Sequence, residues 1–251
     1  MLSKLKFIFT DKTLRNRVLA CLGVLAIFRA LSAIPVPGVN TDALQAVLGE
    51  NSFFQVLNLF SGGGLSSLSI LMLGVGPYIT ASIIIQLLTM VFPKMKQLQQ
   101  EEGTAGRQKI SQYSRLLTIP LALVQTFALV SLISRQSPQV FGELTSFAFL
   151  QIAIIVVASS VLLMWLGERL SEYGLGNGIS LIIAGGIIAS MPQSISRIWA
   201  TFDATQAPGF IAILAVAIAA IWLIVFVTEA ERPIEVTYAR QARSLSTQGA
   251  G

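Results

Sequence analysis

No histidine occurs in this chain of 251 residues, and cysteine occurs once, as Cys21. One cysteine cannot close a disulfide within the chain, so a cross-linked framework is excluded. Without imidazole, and with one thiol, a Cys/His zinc site and histidine-activated nucleophiles are excluded too. Charge is also scarce: Asp, Glu, Lys and Arg together make up 12% of the residues, against roughly 25% in an ordinary soluble domain. Apolar residues fill the gap, at 54%. So few charges cannot cover the surface of a soluble fold this long, and so apolar a chain does not match the composition of a disordered one. The net charge of +5 would ordinarily raise nucleic acid as a partner, but its placement along the chain decides its meaning.

Six apolar stretches stand out, at about 18–33, 71–92, 116–133, 147–166, 179–191 and 210–227. A helix crosses roughly 30 Å of hydrocarbon with about 20 residues. The third, fourth and sixth stretches have that length and carry no charge. The first is short and contains Arg29, and the fifth is shorter still, the length of a partial or interrupted span. The first lacks a signal-peptide cleavage site, and five more apolar stretches follow it. The expected fold is therefore all-α: a polytopic membrane bundle of six transmembrane helices plus a short re-entrant helix. A cytoplasmic tail over 1–17 would precede a membrane bundle over 18–228, and 229–251 would begin a cytoplasmic loop.

Basic residues assign the sides. Lys4, Lys6, Lys12, Arg15 and Arg17 precede the first stretch. Lys94, Lys96, Arg107, Lys109 and Arg115 follow the second, Arg169 follows the fourth, and Arg232, Arg240 and Arg243 follow the sixth. The opposite side holds only Arg135 and Arg197. This asymmetry puts both termini in the cytoplasm.

Three places break the pattern of plain spanning helices. Ile34-Pro-Val-Pro-Gly38 ends the first span in a stiff extended turn. The apolar run from Leu57 to Phe92 is far longer than one crossing requires, and it contains Gly62, Gly63, Gly64, Gly74, Gly76 and Pro77. It reads as a re-entrant segment at about 57–73, helical around Leu65 to Leu73, then a break, then the true span. Tyr173-Gly-Leu-Gly-Asn-Gly178 opens the fifth stretch. Irregular backbone at membrane depth is tolerated only where it is buried in protein or lines a cavity. Two interrupted helices entering from opposite sides would bring their first turns together near the midplane. Val75 and Ile79 share one helix face, and Ile179 and Ile183 share another. An aliphatic cluster there would close a water-accessible path by dewetting. Ordinary packing of branched aliphatics in a bundle fits the same residues.

Polar side chains inside spans are few: Ser82, Gln86 and Gln125 are the ones a polar seam would use, and interhelical hydrogen bonding is the other reading. No Asp or Glu lies mid-span, which argues against a proton-coupled transporter. Gly174-x-Gly-x-Gly178 has no phosphate-binding lysine and follows no strand, so nucleotide binding is not indicated. A six-span small-solute transporter or ion channel remains the alternative from another class, and a structural fragment with no transport role a third.

Several motifs carry a family resemblance: Phe28-Arg-x-x-x-x-Ile-Pro-Val-Pro-Gly38, Asn58-x-Phe-Ser-Gly-Gly63, Gly76-Pro-Tyr-Ile-x-Ala-Ser-Ile-Ile-Ile-Gln-Leu-Leu88, Glu102-Gly-x-x-Gly-Arg-x-Lys-Ile-Ser-Gln-Tyr113, Met164-Trp-Leu-Gly-Glu168 and Gly174-x-Gly-Asn-Gly-Ile-Ser180. In order and spacing, from about Arg17 to Arg240, the chain resembles the N-terminal part of the SecY family, the channel subunits of the Sec protein translocase. The resemblance implies a protein-conducting channel, not an enzyme, with no cofactor. It places Val75, Ile79, Ile179 and Ile183 on four of six pore-ring positions. It makes Gly62, Gly63, Gly64, Leu65 and Leu68 part of a plug, and Ser82, Gln86 and Gln125 part of a lateral gate for signal sequences. Arg107, Lys109, Arg232 and Arg240 would be cytoplasmic contacts for the SecA motor ATPase or the ribosome. SecE and SecG would be the companion subunits, polypeptides bearing a signal sequence the substrates, and a plasma membrane the location. The family usually has ten spans in two pseudo-symmetric halves, so a six-span chain reads as a truncated one. Pro233 stands where the family commonly has arginine and Glu235 adds negative charge, which leaves Arg240 as the partner-binding candidate in that tail.

Overall fold

A computed structural model describes residues 11–40, 43–44, 52–101, 103–142, 145–173, 176–200 and 207–230. Among them run eight α-helices: α1 (Lys12–Ser32), α2 (Ser52–Phe60), α3 (Gly76–Val91), α4 (Pro93–Glu101), α5 (Gly103–Gln136), α6 (Ser146–Glu172), α7 (Gly178–Ala200) and α8 (Ala207–Thr228), with a 3₁₀ turn at Pro138–Val140. The chain divides into two compact units, Met1–Ile195 and Ser196–Gly251.

Local chemistry sets the helix ends. The Asp11 carboxylate accepts the Thr13 N–H at 2.9 Å and the Thr145 hydroxyl accepts the Ala148 N–H at 3.3 Å, so each satisfies a donor that a helix N-terminus leaves free. Pro77 falls in the first turn of α3, where its missing N–H costs nothing and its fixed φ suits the helix. Pro120 and Pro192 sit inside α5 and α7. Within a bundle, neighbouring groups and small local adjustments accommodate such breaks.

In the first unit α3 and α5 pack along each other, α4 brackets both, and α6 packs on α1, α3 and α5. The buried face of α3 is Pro77, Ala81, Ile85 and Thr89. That of α5 includes Ser114, Thr118, Ala122 and Thr126, again one residue in four. Small side chains at helix spacing let backbones approach closely, which is what holds helices together where lipid replaces water. The Ser114, Thr118 and Thr126 hydroxyls donate to the carbonyls of Ile110, Ser114 and Ala122 on their own helix, so these three are satisfied, whereas the buried Ser134 hydroxyl farther along α5 has no partner among the described residues.

Two apolar clusters fill the unit. The first joins Val36, Phe54, Leu65, Leu68 and Met72 to Leu129, Val130 and Ile133 of α5, Val140 and Phe141 of the 3₁₀ turn, and Ile152 and Val156 of α6. The second joins Phe28 of α1, Leu71, Val75, Leu163, Leu166 and Leu170 of α6, and Ile182 of α7. In the second unit, α8 is uncharged along its length and has no buried residue, and Trp222 stacks on Phe226 with ring centroids 5.5 Å apart.

Among the described residues four helices are long and apolar enough to cross a membrane: Ala105–Gln136, Ser146–Glu172, Gly178–Ser196 and Ala207–Thr228. The other two expected spans are helical but differ. α1 carries Lys12, Arg15, Arg17 and Arg29 in its 21 residues, and α3 has only 16. Three further expectations change. α5 starts well before residue 116, because the basic 103–115 segment continues the helix without an apolar stripe to announce it. α7 runs 23 residues rather than ending near Met191. At about 1.5 Å per residue it spans some 34 Å, so its length does not require a start at mid-depth, whereas α3 at about 24 Å stays short of a full crossing. Finally, 65–73 is not a helix: helical structure in that region ends at Phe60, and 61–75 runs through consecutive turns.

Candidate functional site

The turns of 61–75 follow from their glycines and serines. Gly62, Gly63 and Gly74 have φ of +65°, +87° and +56°, outside the helical range and open to glycine at little cost. Serine and asparagine side chains take up local backbone groups and compete with a helix. The Asn58 side-chain oxygen accepts the Ser66 N–H at 2.8 Å, the Ser61 hydroxyl accepts the Leu65 N–H at 3.1 Å, and the Ser66 hydroxyl donates to the Gly63 carbonyl at 2.7 Å. Leu68 holds φ +38°, a strained value for leucine.

Long-range bonds then fix the segment. The Val36 N–H donates to the Leu68 carbonyl at 2.9 Å and the Ile70 N–H to the Ile34 carbonyl at 3.0 Å, forming an antiparallel bridge between Pro35 and Ser69. The stiff Ile34–Gly38 turn thus serves as an edge for the segment. The Ser67 hydroxyl donates to the Ser32 carbonyl, and the Ser159 hydroxyl of α6 to the Ile70 carbonyl at 2.7 Å.

Helix packing gathers the aliphatic candidates. Asn177 caps α7, its side-chain oxygen accepting the Ile179 and Ser180 N–H groups at 3.0 and 3.3 Å. Gly178 lies against Gly167 and Leu170 of α6, and a Cβ on Gly167 would stand 2.7 Å from Ile179 Cγ1. These two glycines let α7 begin directly against α6. Val75 is 2% exposed and belongs to the second cluster, and Ile79, Ile179 and Ile183, half-buried, pack against that same cluster. The four residues from α7 and the start of α3 thus share one apolar body with three leucines of α6.

The other candidates distribute differently. Leu65 and Leu68, 1% and 0% exposed, pack into the first cluster, and Ile70 touches both clusters. Gly62 and Gly64 are buried and Gly63 half-buried, with the Arg29 guanidinium beside Gly63. Ser82 and Gln125 are half-buried and Gln86 is exposed, on the two helices that pack along each other. Arg107 and Lys109 are exposed on the first turns of α5. Arg232 and Arg240 lie outside the described residues.

Two features escaped the sequence reading. Arg115 Nε meets Glu168 Oε1 at 2.8 Å and ties α5 to α6, with the Glu168 side chain only 17% exposed. Their only signal was opposite charge at span ends assigned to the same side. The other is the approach of Gly62 to Gly186, which nothing in the spacing announces. Among the described residues no group of three or more His, Cys, Asp or Glu could hold a metal ion.

A family model described as SecY matches residues 69–250. The chain belongs to the SecY family. It is 40% identical over 238 residues to the protein translocase subunit SecY of Escherichia coli K12, covering 91% of this chain and 53% of that one. It is 38% identical over 239 residues to the SecY of Buchnera aphidicola from Schizaphis graminum, covering 92% and 54%. The chain therefore spans about half the length of the curated SecY relatives it matches. Among solved structures, Sec61 in the canine ribosome-channel complex from the endoplasmic reticulum aligns over 89% of this chain and 49% of its own, with a TM-score of 0.53 at 22% identity. That likeness establishes the fold. Membership in SecY, together with the apolar helices, makes the chain a multi-pass membrane protein.

Proposed function

We propose that this chain supplies half of the central channel subunit of a protein translocase, which moves unfolded polypeptides across a membrane and releases apolar segments sideways into lipid. The observation that carries the reading is the meeting of Val75, Ile79, Ile179 and Ile183 in one apolar cluster in a chain of the SecY family. Bulky aliphatics closing a narrow path hold back ions because water leaves such a constriction, while a threading chain pushes them apart. The glycine-rich 61–75 segment is the plug, and Ser82, Gln86 and Gln125 line the seam between helices. No bond is made or broken in this role.

The remaining assignments belong to the same reading. The plasma membrane houses the protein, with the basic tail, the 93–115 region and the C-terminal end in the cytoplasm, supported by the charge asymmetry. Arg107, Lys109, Arg232 and Arg240 face a motor such as SecA or a ribosome, a partner supported by the ribosome named with the canine Sec61. Their charge suits an acidic protein face or an rRNA backbone. SecE and SecG accompany the subunit.

Site-specific crosslinking tests the reading. With Cys21 replaced, a cysteine at Ile79 or Ile183 and one in a stalled, signal-bearing polypeptide should join under oxidation in membrane vesicles. Absence of any product, while a lipid-facing control such as Ile154→Cys behaves identically, rejects the channel. Uptake of a small solute by the same vesicles would favour the transporter alternative.

A further inference from the structure

Gly62 of the 61–75 segment and Gly186 of α7 touch backbone to backbone. A Cβ on Gly186 would stand 2.6 Å from the Gly62 Cα and 3.3 Å from the Phe28 ring. One on Gly62 would stand 2.5 Å from Phe28 Cζ and 3.1 Å from the Gly186 Cα. Both glycines are buried, and Phe28 is 4% exposed. The neighbouring Gly185 is different: the three atoms nearest its added Cβ all belong to the Leu25 side chain, the nearest being Cδ2 at 2.5 Å. A flexible side-chain end can turn away, whereas two backbones cannot give way without moving the segment.

We propose that Gly186 is a positioning residue that seats the glycine-rich segment, with Gly62 as its counterpart and the Phe28 ring as the third wall. The seat is the point where 61–75 bears on α7, the helix that carries Ile179 and Ile183. A methyl group at 186 pushes Gly62 away. With φ at +65° Gly62 lies in a tight turn, so the push passes to Leu65 and Leu68 and lifts them from the first cluster. Segment position and constriction thereby depend on the same helix. The proposal rests on the channel reading for its consequence, but not for its geometry.

The test is thiol labelling in native membrane vesicles. Cys21 is replaced by alanine, and a cysteine is placed at Leu65, which is 1% exposed. A small water-soluble maleimide is the probe. Gly186→Ala should raise the labelling rate of the residue-65 thiol by roughly tenfold, as expected for a local opening, and Gly185→Ala should leave it unchanged. A cysteine at Ala122, fully buried on α5, should stay protected in both. Phe28→Leu, which thins one wall without adding an atom between the backbones, should give a smaller rise and serves if Gly186→Ala does not accumulate. Unchanged labelling at 65 in Gly186→Ala, or in Phe28→Leu where that variant serves, overturns the seat. A joint rise at 65 and 122 overturns it too, because general loosening is not positioning. Ion flux through the same vesicles separates the two readings: faster labelling in Gly186→Ala keeps the seat whatever the flux, while no added flux in Ile183→Ala rejects the channel.

Discussion

The two apolar clusters use the same side chains and close to different degrees. In the first, Leu65, Leu68, Ile133, Val140 and Val156 are all 1% exposed or less, and every facing element contributes. In the second, Leu163, Leu170 and Ile182 are as deeply buried, yet Ile79, Ile179 and Ile183 lie half-open against them. The first cluster is a core with thirteen buried members among the described residues, edged by partly buried side chains such as Leu57, Ile70 and Phe149. The second has a finished back and an open front. In this comparison we expect truncation to cost more stability in the first cluster, and we propose the half-buried side of the second as the functional one.

Truncation in the first cluster has the largest expected effect. Ile133→Ala removes a side chain that is 1% exposed and should cost about 2–3 kcal/mol. That is the low end of the range for buried aliphatics, because lipid as the surrounding medium weakens the transfer term and leaves chiefly the cavity. Denaturation in mixed micelles reads it. A loss no greater than that of a truncation in the open front erases the distinction between core and seal.

Gly63→Ala comes next. Space is available around Gly63, since among the described residues the Arg29 guanidinium is the only group near an added Cβ, at 3.6 Å. The cost is therefore in the backbone, held at φ +87°. An L-residue forced there should lose about 1–2 kcal/mol. The same denaturation assay checks it, and a neutral result would mean that the 61–75 turns relax at no cost and are not held as a fixed cover.

Asn177→Ala removes the cap that orients the first turn of α7, and with it Ile179. The change should cost about 1 kcal/mol. Amide exchange at Ile179 and Ser180, whose N–H groups the Asn177 side chain now accepts, should speed up while α6 amides remain protected. If exchange is unchanged, the start of α7 is held by the Gly167 and Gly178 contacts alone.

What the sequence disclosed follows from range. Long charge-free runs mark where α6 and α8 lie, although α6 continues six residues past the apolar run through Glu168, Arg169 and Glu172. Four-residue spacing puts Ile79 with Val75 and Ile183 with Ile179, and each pair is local. The first turns of α5 were missed because 103–115 is polar and helical at once, stabilised by continuity with the apolar stretch rather than by its own pattern. The form of 61–75 was not legible, because glycine admits many backbone states and the choice among them is made by Pro35, Ser159 and Gly186, residues remote in the chain. The Arg115–Glu168 pair and the Gly62–Gly186 approach are tertiary facts of the same kind.

The smallest loss of stability is expected where the functional effect should be clearest. Ile183 is half-buried, so truncation to alanine removes methyl groups that already lack neighbours on one side. Little cavity forms, and the cost should stay below about 1 kcal/mol. The proposed constriction, however, would be sensitive to the width it leaves open. Shortening one of its side chains lets water persist where branched aliphatics exclude it, and ions follow the water. Ile183→Ala should therefore raise ion flux in vesicles while its unfolding midpoint stays near that of the parent. Ile133→Ala should do the reverse, losing stability without a comparable leak. If the two variants shift flux and stability in the same proportion, the open front is merely a poorly packed part of one core, and the division between structure and gate dissolves.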